Sequence, residues 1–148
     1  RLTACTNDLA TAEALGASDR IRLIVVGGTL RSGSGTLVGD PGISFLEQIH
    51  ADLALIGIHS LALGKLTETS LEVAAMKRQM IASADRVIVL ADSSKFAHPA
   101  FCDVCELARV HTVVTDEAIE AADRAMLEDA GIEVVIATTT PGGHSAAA

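Results

Sequence analysis

The chain is punctuated by short, uninterrupted apolar runs that each stop abruptly at small or polar residues. "IRLIVVG" (21–27), "ADLALIG" (51–57), "RVIVLAD" (86–92) and "HTVVTD" (111–116) are the inner ones, and "LTACT" (2–6) and "IEVVIA" (132–137) flank them. Runs of this length suit strands, and the near absence of alternation suits strands covered on both faces of a parallel sheet. Parallel strands need long crossovers. Helix-type stretches lie between the runs, over 8–15, 43–49, 70–84 and 117–131, the last closed by Gly131, a usual helix stop. The prediction is an α/β, three-layer, Rossmann-like domain with a mostly parallel sheet. It extends over 1–137, with "TTTPGGHSAAA" (138–148) as a flexible tail.

Composition narrows the function classes. A length of 148 residues suits one domain with its own core. With no Trp, no Tyr and three Phe, the core is aliphatic and a platform for stacking bases is disfavoured. A formal net charge of −8 disfavours nonspecific binding of this piece to DNA or anionic lipid. No apolar run approaches the roughly 18 residues that span a bilayer, and no secretory signal opens the chain. It starts at Arg1, which reads as a piece of a longer protein. Three cysteines, Cys5, Cys102 and Cys105, fit a reducing, cytoplasmic setting.

Ligands of such sheets gather beyond the carboxyl ends of the strands. The runs end in Thr6-Asn7-Asp8, Gly27-Gly28-Thr29, Gly57 through Ser60, Asp92-Ser93-Ser94-Lys95 and Thr115-Asp116. If every strand is parallel, these ends share one rim. A phosphate needs backbone N–H groups, hydroxyls and a cation. Gly27 and Gly28 would let backbone approach an anion; Thr6, Asn7, Ser93 and Ser94 would donate; Lys95, with Arg31, would supply charge. Gly, Ser, Asn and Asp are also ordinary turn formers. Polar turns and an anion site therefore both stand open at this point.

The order "CTND", "VVGGTLRSGSGTLVG", "ADLALIGIHS", "LTETSLEVAAMKRQMI" and "VIVLADSSKFA" resembles the effector-binding domain of DeoR-family transcriptional regulators, from Leu2 to about Ala137. That resemblance implies the fold shared by ribose-5-phosphate isomerase, glucosamine-6-phosphate deaminase and CoA transferases. It implies a phosphorylated sugar or related metabolite as effector, and no cofactor. It also implies an N-terminal winged helix-turn-helix, outside this chain, through which alone DNA would be bound, and homo-oligomers acting on repeated sites. The usual output is repression of a sugar-catabolic operon. Carried over position by position, the effector-binding residues are Thr6, Asn7, Gly27, Gly28, Glu72, Lys77, Asp92 and Lys95, with His59 at a departure. The family commonly has Gly-Ala-Asp-Gly where this chain has Gly57-Ile58-His59-Ser60. The family sensor also begins with a further strand and an Asp-Ser-Gly-Thr-Thr loop that this chain lacks.

An enzyme of the same fold is the alternative reading. An isomerase needs carboxylates to shuttle a proton between adjacent carbons. In the related isomerases they sit in a Gly-Ala-Asp-Glu stretch and an Arg-Glu-Lys triplet, matched here by 57–60 and by Ala75-Met76-Lys77. A thioether is no base, which favours a binding module; His59 is the remaining candidate, with an ordinary pKa near 6.5. Cys102 and Cys105 form a C-x2-C flanked by His98 and His111, the right ligand types for zinc. Free cysteines are common core residues, however, and His111 opens a strand, so no metal is expected. Met76, Met80 and Met126 read as packing. His50 and His144 have no evident partner.

Overall fold

A computed structural model describes residues 1–138. In chain order, strand β1 (Leu2–Thr6) leads through helix α1 (Leu9–Gly16) to β2 (Ile21–Val25). The hairpin β3 (Thr29–Leu30) and β4 (Leu37–Val38) and the short helix α2 (Gly42–Leu46) follow. Next come β5 (Ala51–Gly57), β6 (Ser60–Ala62), β7 (Lys65–Glu68), α3 (Leu71–Ala82) and β8 (Ala84–Leu90). β9 (Cys102–Glu106), β10 (Thr112–Asp116), α4 (Ala121–Asp129) and β11 (Glu133–Ala137) complete the order. The expected tail over 138–148, His144 included, lies outside the described residues apart from Thr138.

All six predicted strands form, and each pairs in parallel, but in two sheets. β1 pairs with β2, and β11, β10, β8 and β5 form a four-stranded sheet in that order. A third, antiparallel sheet of β6, β7 and β9 has no counterpart in the sequence reading. Its segments, "SLALGKLTE" and "CDVCE", mix polar and apolar residues too irregularly to stand out. Ser60 and Thr67 are nevertheless buried, because they hydrogen-bond inward. Thr67 Oγ1 donates to Ser60 O and accepts from Ala100 N, while Ser60 Oγ donates to His98 O. Buried polar groups with partners carry little penalty.

Helix ends follow their capping chemistry. Asp8 caps α1 by accepting from Thr11 N at 2.8 Å, and Ser70 caps α3 by accepting from Val73 N. The helix predicted over 117–131 starts later, at Ala121. Asp116 Oδ1 accepts from Ala118 N, and 117–118 form a turn instead. At its far end Gly131, with φ +78°, stops α4 as expected.

The four-stranded sheet buries one face. Ala54, Ile56, Val87, Val89 and Val113 on that face pack with Ala74 and Ile81 of α3, Leu127 of α4, and Leu66 and Val104 of the antiparallel sheet. Leu66 and Leu127 are wholly buried, each contributing about 1.5–3 kcal/mol. The other face departs from the prediction of a sheet covered on both sides. Leu53, Leu55, Leu90 and Val135 are exposed there. A second, smaller core of Val26, Leu46 and Met76 joins the β1–β2 unit to α3.

The glycine pair after β2 has a packing role. A Cβ on Gly28, at φ +150°, would lie 2.6 Å from Val38 O, and one on Gly42 would lie 2.2 Å from Gly27 O. Gly28→Ala is therefore expected to destabilise the domain by about 2 kcal/mol or more. Gly33→Ala, at φ +75° in open space, carries only the left-handed penalty of about 1 kcal/mol. Urea unfolding of the two variants checks the ordering.

Candidate functional site

The seam between the β1–β2 unit and the four-stranded sheet holds a cavity of about 120 Å³. It is lined by Asn7 after β1, Thr36 before β4, Leu55, Ile56 and Gly57 at the end of β5, and Val73, Met76, Lys77 and Met80 of α3. The four α3 residues sit at i, i+3, i+4 and i+7, one helical stripe. This volume holds several water-sized groups.

Asn7 is fixed by donating its side-chain N–H to Leu37 O at 2.7 Å. Its carbonyl oxygen and the second N–H of the amide are then left for another partner. Lys77 pairs with Glu68 at the end of β7. Glu68 is 6% exposed, and its strand is locked to β9 through the Glu68–Cys102 register, where Cys102 Sγ donates to Glu68 O at 3.1 Å.

Of the residues predicted to bind an effector, Asn7 and Lys77 meet in this cavity. The others do not line it. Thr6 is beside Asn7 but turns its hydroxyl oxygen to Asp8 N at 3.2 Å. Gly27 and Gly28 approach the chain's own backbone and Pro41. Glu72 lines a second hollow, of about 340 Å³, with Thr29, Leu30, Arg31, Val38 and Gly39. It accepts from Ser70 Oγ at 3.1 Å and is not the partner of Lys77. His59 is exposed beyond β5.

The stretch Asp92-Ser93-Ser94-Lys95 forms one short 3₁₀ turn at the end of β8. Asp92 accepts from Ser94 N at 3.0 Å and from the Ser94 hydroxyl; Asp116 accepts from Ser93 N at 2.8 Å. The two acids and the Ser93 and Ser94 groups that they engage thus cap the turn. Lys95 is half-buried on the same rim, and its ammonium has no hydrogen-bond or ion-pair partner among the described residues.

Glu68 is the residue that sequence reasoning missed. It lies nine positions before Lys77, so no helical spacing links the two; only the β7–α3 turn brings them together. Met76 does pack, 1% exposed against Val26 and Leu46, so no carboxylate occupies the position of an isomerase base. The C-x2-C also disperses. Cys102 bonds to Glu68 O, burial pushes the Cys105 thiol up to about 11, and His111 Nδ1 accepts from Val87 N. Among the described residues no three His, Cys, Asp or Glu are placed to hold a metal ion. No helix there is long and apolar enough to cross a membrane.

Residues 1–117 match the family model of the DeoR C-terminal sensor domain. The chain is 31% identical over 140 residues to the HTH-type transcriptional repressor GlcR of Bacillus subtilis, covering 95% of this chain and 54% of that protein. It is 34% identical over 112 residues to the HTH-type transcriptional regulator GlpR of Haloferax volcanii, covering 75% and 44%. It is 31% identical over 112 residues to the glycerol-3-phosphate regulon repressor of Escherichia coli, also covering 75% and 44%. The chain thus spans about half the length of the curated relatives it matches. These relatives carry the names of transcriptional regulators, not of enzymes.

The capped turn carries a pH prediction. The Ser94 hydroxyl and then its N–H hold Asp92 below the ordinary 3.8, and the N–H groups of Ser93 and Ala118 do the same for Asp116. A carboxylate with a lowered folded pKa stabilises the fold above its unfolded value, and that contribution disappears as pH falls through the folded one. Stability is therefore expected to be level above about pH 5 and to fall below 3.8. Asp116→Asn should lessen the acid dependence in urea unfolding series between pH 6 and about pH 3.

Proposed function

This chain belongs to the DeoR family as a C-terminal sensor domain, and on that premise we propose that it binds a phosphorylated sugar or a related metabolite at the strand-end rim of the seam and so governs operator binding by a repressor. The observation that carries this reading is the convergence of Asn7, Gly57 and Lys77, from three distant segments, on one cavity at strand ends. That is the place where open α/β sheets bind ligands. Lys95, on the same rim after β8, supplies a cation for the phosphate.

The rest of the regulator is part of the proposal. A winged helix-turn-helix preceding this domain makes the DNA contact, and the protein works in the cytoplasm as a homo-oligomer. The family's first strand pairs in the seam between β1 and β5. Among the described residues β1 pairs only with β2 and β5 only with β8, which leaves one edge of each open to such a strand.

Calorimetric titration of the full-length regulator with phosphorylated polyols and pentose and hexose phosphates tests the reading. One of them is expected to bind and to change operator affinity. Asn7→Ala and Lys95→Ala should each weaken that ligand at least tenfold, which is about 1.4 kcal/mol. A ligand held equally well by both variants would place the effector elsewhere, and turnover of any of these phosphates would replace the sensor by an enzyme.

A further inference from the structure

The four-stranded sheet is bare on one face among the described residues, and that face is apolar in register. Leu55 of β5 stands beside Ile88 of β8, and Gly57, Leu90, Val114 and Val135 form the next row across the four strands. Leu53 is 45% and Leu55 61% exposed. A contiguous apolar patch on a folded chain marks a contact surface. The connections say which segment belongs on it. β5 to β8, β8 to β10 and β10 to β11 all step across the sheet in one direction. α3, the antiparallel sheet and α4, which lie along those connections, pack on the buried face. Crossovers between parallel strands are right-handed, so a step in the opposite direction places its crossover on the opposite face.

We infer that the β5 side of the bare face seats a helix of the same polypeptide, the crossover that joins the family's first strand to β1. The inference rests on the reading that this strand pairs between β1 and β5. The sheet order is then β2, β1, the added strand, β5 and onward, so the steps to β1 and on to β2 both run in the opposite direction. α1 already obeys the rule. It packs on β2 with Gly16 beside Leu23, whereas Met76 of α3 packs on Val26. The ladder continues past β2, with Val26 N donating to Thr6 O at 2.8 Å, so Leu23 and Val26 face opposite sides of extended backbone. The new helix lies on the α1 side, which is the side of Leu53 and Leu55. Neighbouring strands lie about 4.8 Å apart and packed helices about 8–10 Å, so α1 over β1 and β2 displaces the new helix toward β5. It descends from the strand-end rim to Leu2, where β1 starts. Spanning a strand of about seven residues takes roughly 15 helical residues, with apolar side chains at i, i+3, i+4 and i+7 toward the sheet. Leu90 borders it one strand farther on, and Val135 lies beyond its reach.

Photo-leucine, an isosteric leucine analogue that cross-links on irradiation, tests this in the full-length regulator. Chains of ordinary and heavy nitrogen are unfolded, mixed and refolded together before irradiation, and cross-linked peptides are read by mass spectrometry. Leu53 and Leu55 should be joined to a peptide that precedes Arg1, in isotope-pure pairs alone. Isotope-mixed pairs at these leucines would give the face to a second copy and overturn the inference. Water adducts alone at Leu53 and Leu55 would overturn it too. Amide exchange on the same protein separates this inference from the reading it rests on. Slow exchange at the seam edges of β1 and β5, with Leu55 quenched by water, keeps the strand and removes the helix. Fast exchange at those edges, with Leu55 joined to the preceding peptide, removes the strand and keeps the occupant of the face.

Discussion

The two parallel sheets share no backbone ladder among the described residues, so their union rests largely on side-chain packing around Met76. Its thioether side chain, on α3, fills the space between Val26 at the end of β2 and Leu46 of α2. Ser83 reinforces the seam at the far end of the same helix, donating its hydroxyl to Leu46 O at 2.7 Å while its own carbonyl accepts from Ala51 N. α3 therefore belongs to both halves. One stripe of it closes the main core with Ala74 and Ile81, and another faces the seam with Val73, Met76, Lys77 and Met80. The cavity exists because these two commitments leave a gap between β1 and β5 that no strand of the described chain fills.

The sequence shows the frame of this arrangement more readily than its joints. Uninterrupted runs such as "RVIVLAD" betray strands by length and apolar content, although the second covered face they imply is open here, with Leu53, Leu55 and Leu90 exposed. Capping signals at Asp8 and Ser70 and the stop at Gly131 are local chemistry and can be read locally. β6, β7 and β9 escape the same reading because their burial depends on partners far away in the chain. Thr67 is tolerable inside only once Ser60 O and Ala100 N are beside it. Asn7 and Lys77 could be found from motif order, yet the partner of Lys77 could not. Glu72 is the nearer acid on the helix, but it sits five positions away, off the face of Lys77. Glu68 reaches it across a turn that only the folded chain supplies.

The polar strand ends carry a related lesson. Turn chemistry and anion chemistry draw on the same residues, since both need short side chains, free backbone N–H groups and glycine. Here the stretch after β8 and the glycines after β2 spend most of that capacity on the chain itself. Asp92 and Asp116 consume the N–H groups of Ser93 and Ser94, and Gly28 is closed over by the Val38 backbone. A donor already bonded inside the protein is not available to a ligand. What distinguishes a site from a turn is therefore the group left over, and on this rim that group is the ammonium of Lys95.

A cavity at a seam held by side chains differs in consequence from one inside a continuous sheet. Backbone ladders fix neighbouring strands in one register, whereas packed side chains admit alternative arrangements separated by modest free energies. A ligand that touches Asn7 on the β1 side and Lys77 on the α3 side adds a link across the seam. It shifts the balance between arrangements by its difference in affinity for them, and by nothing more. Contacts confined to one side would give tight binding and no signal. The proposed sensing role thus rests on Asn7 at the end of β1 and Lys77 on α3, the helix that packs against both halves through Met76.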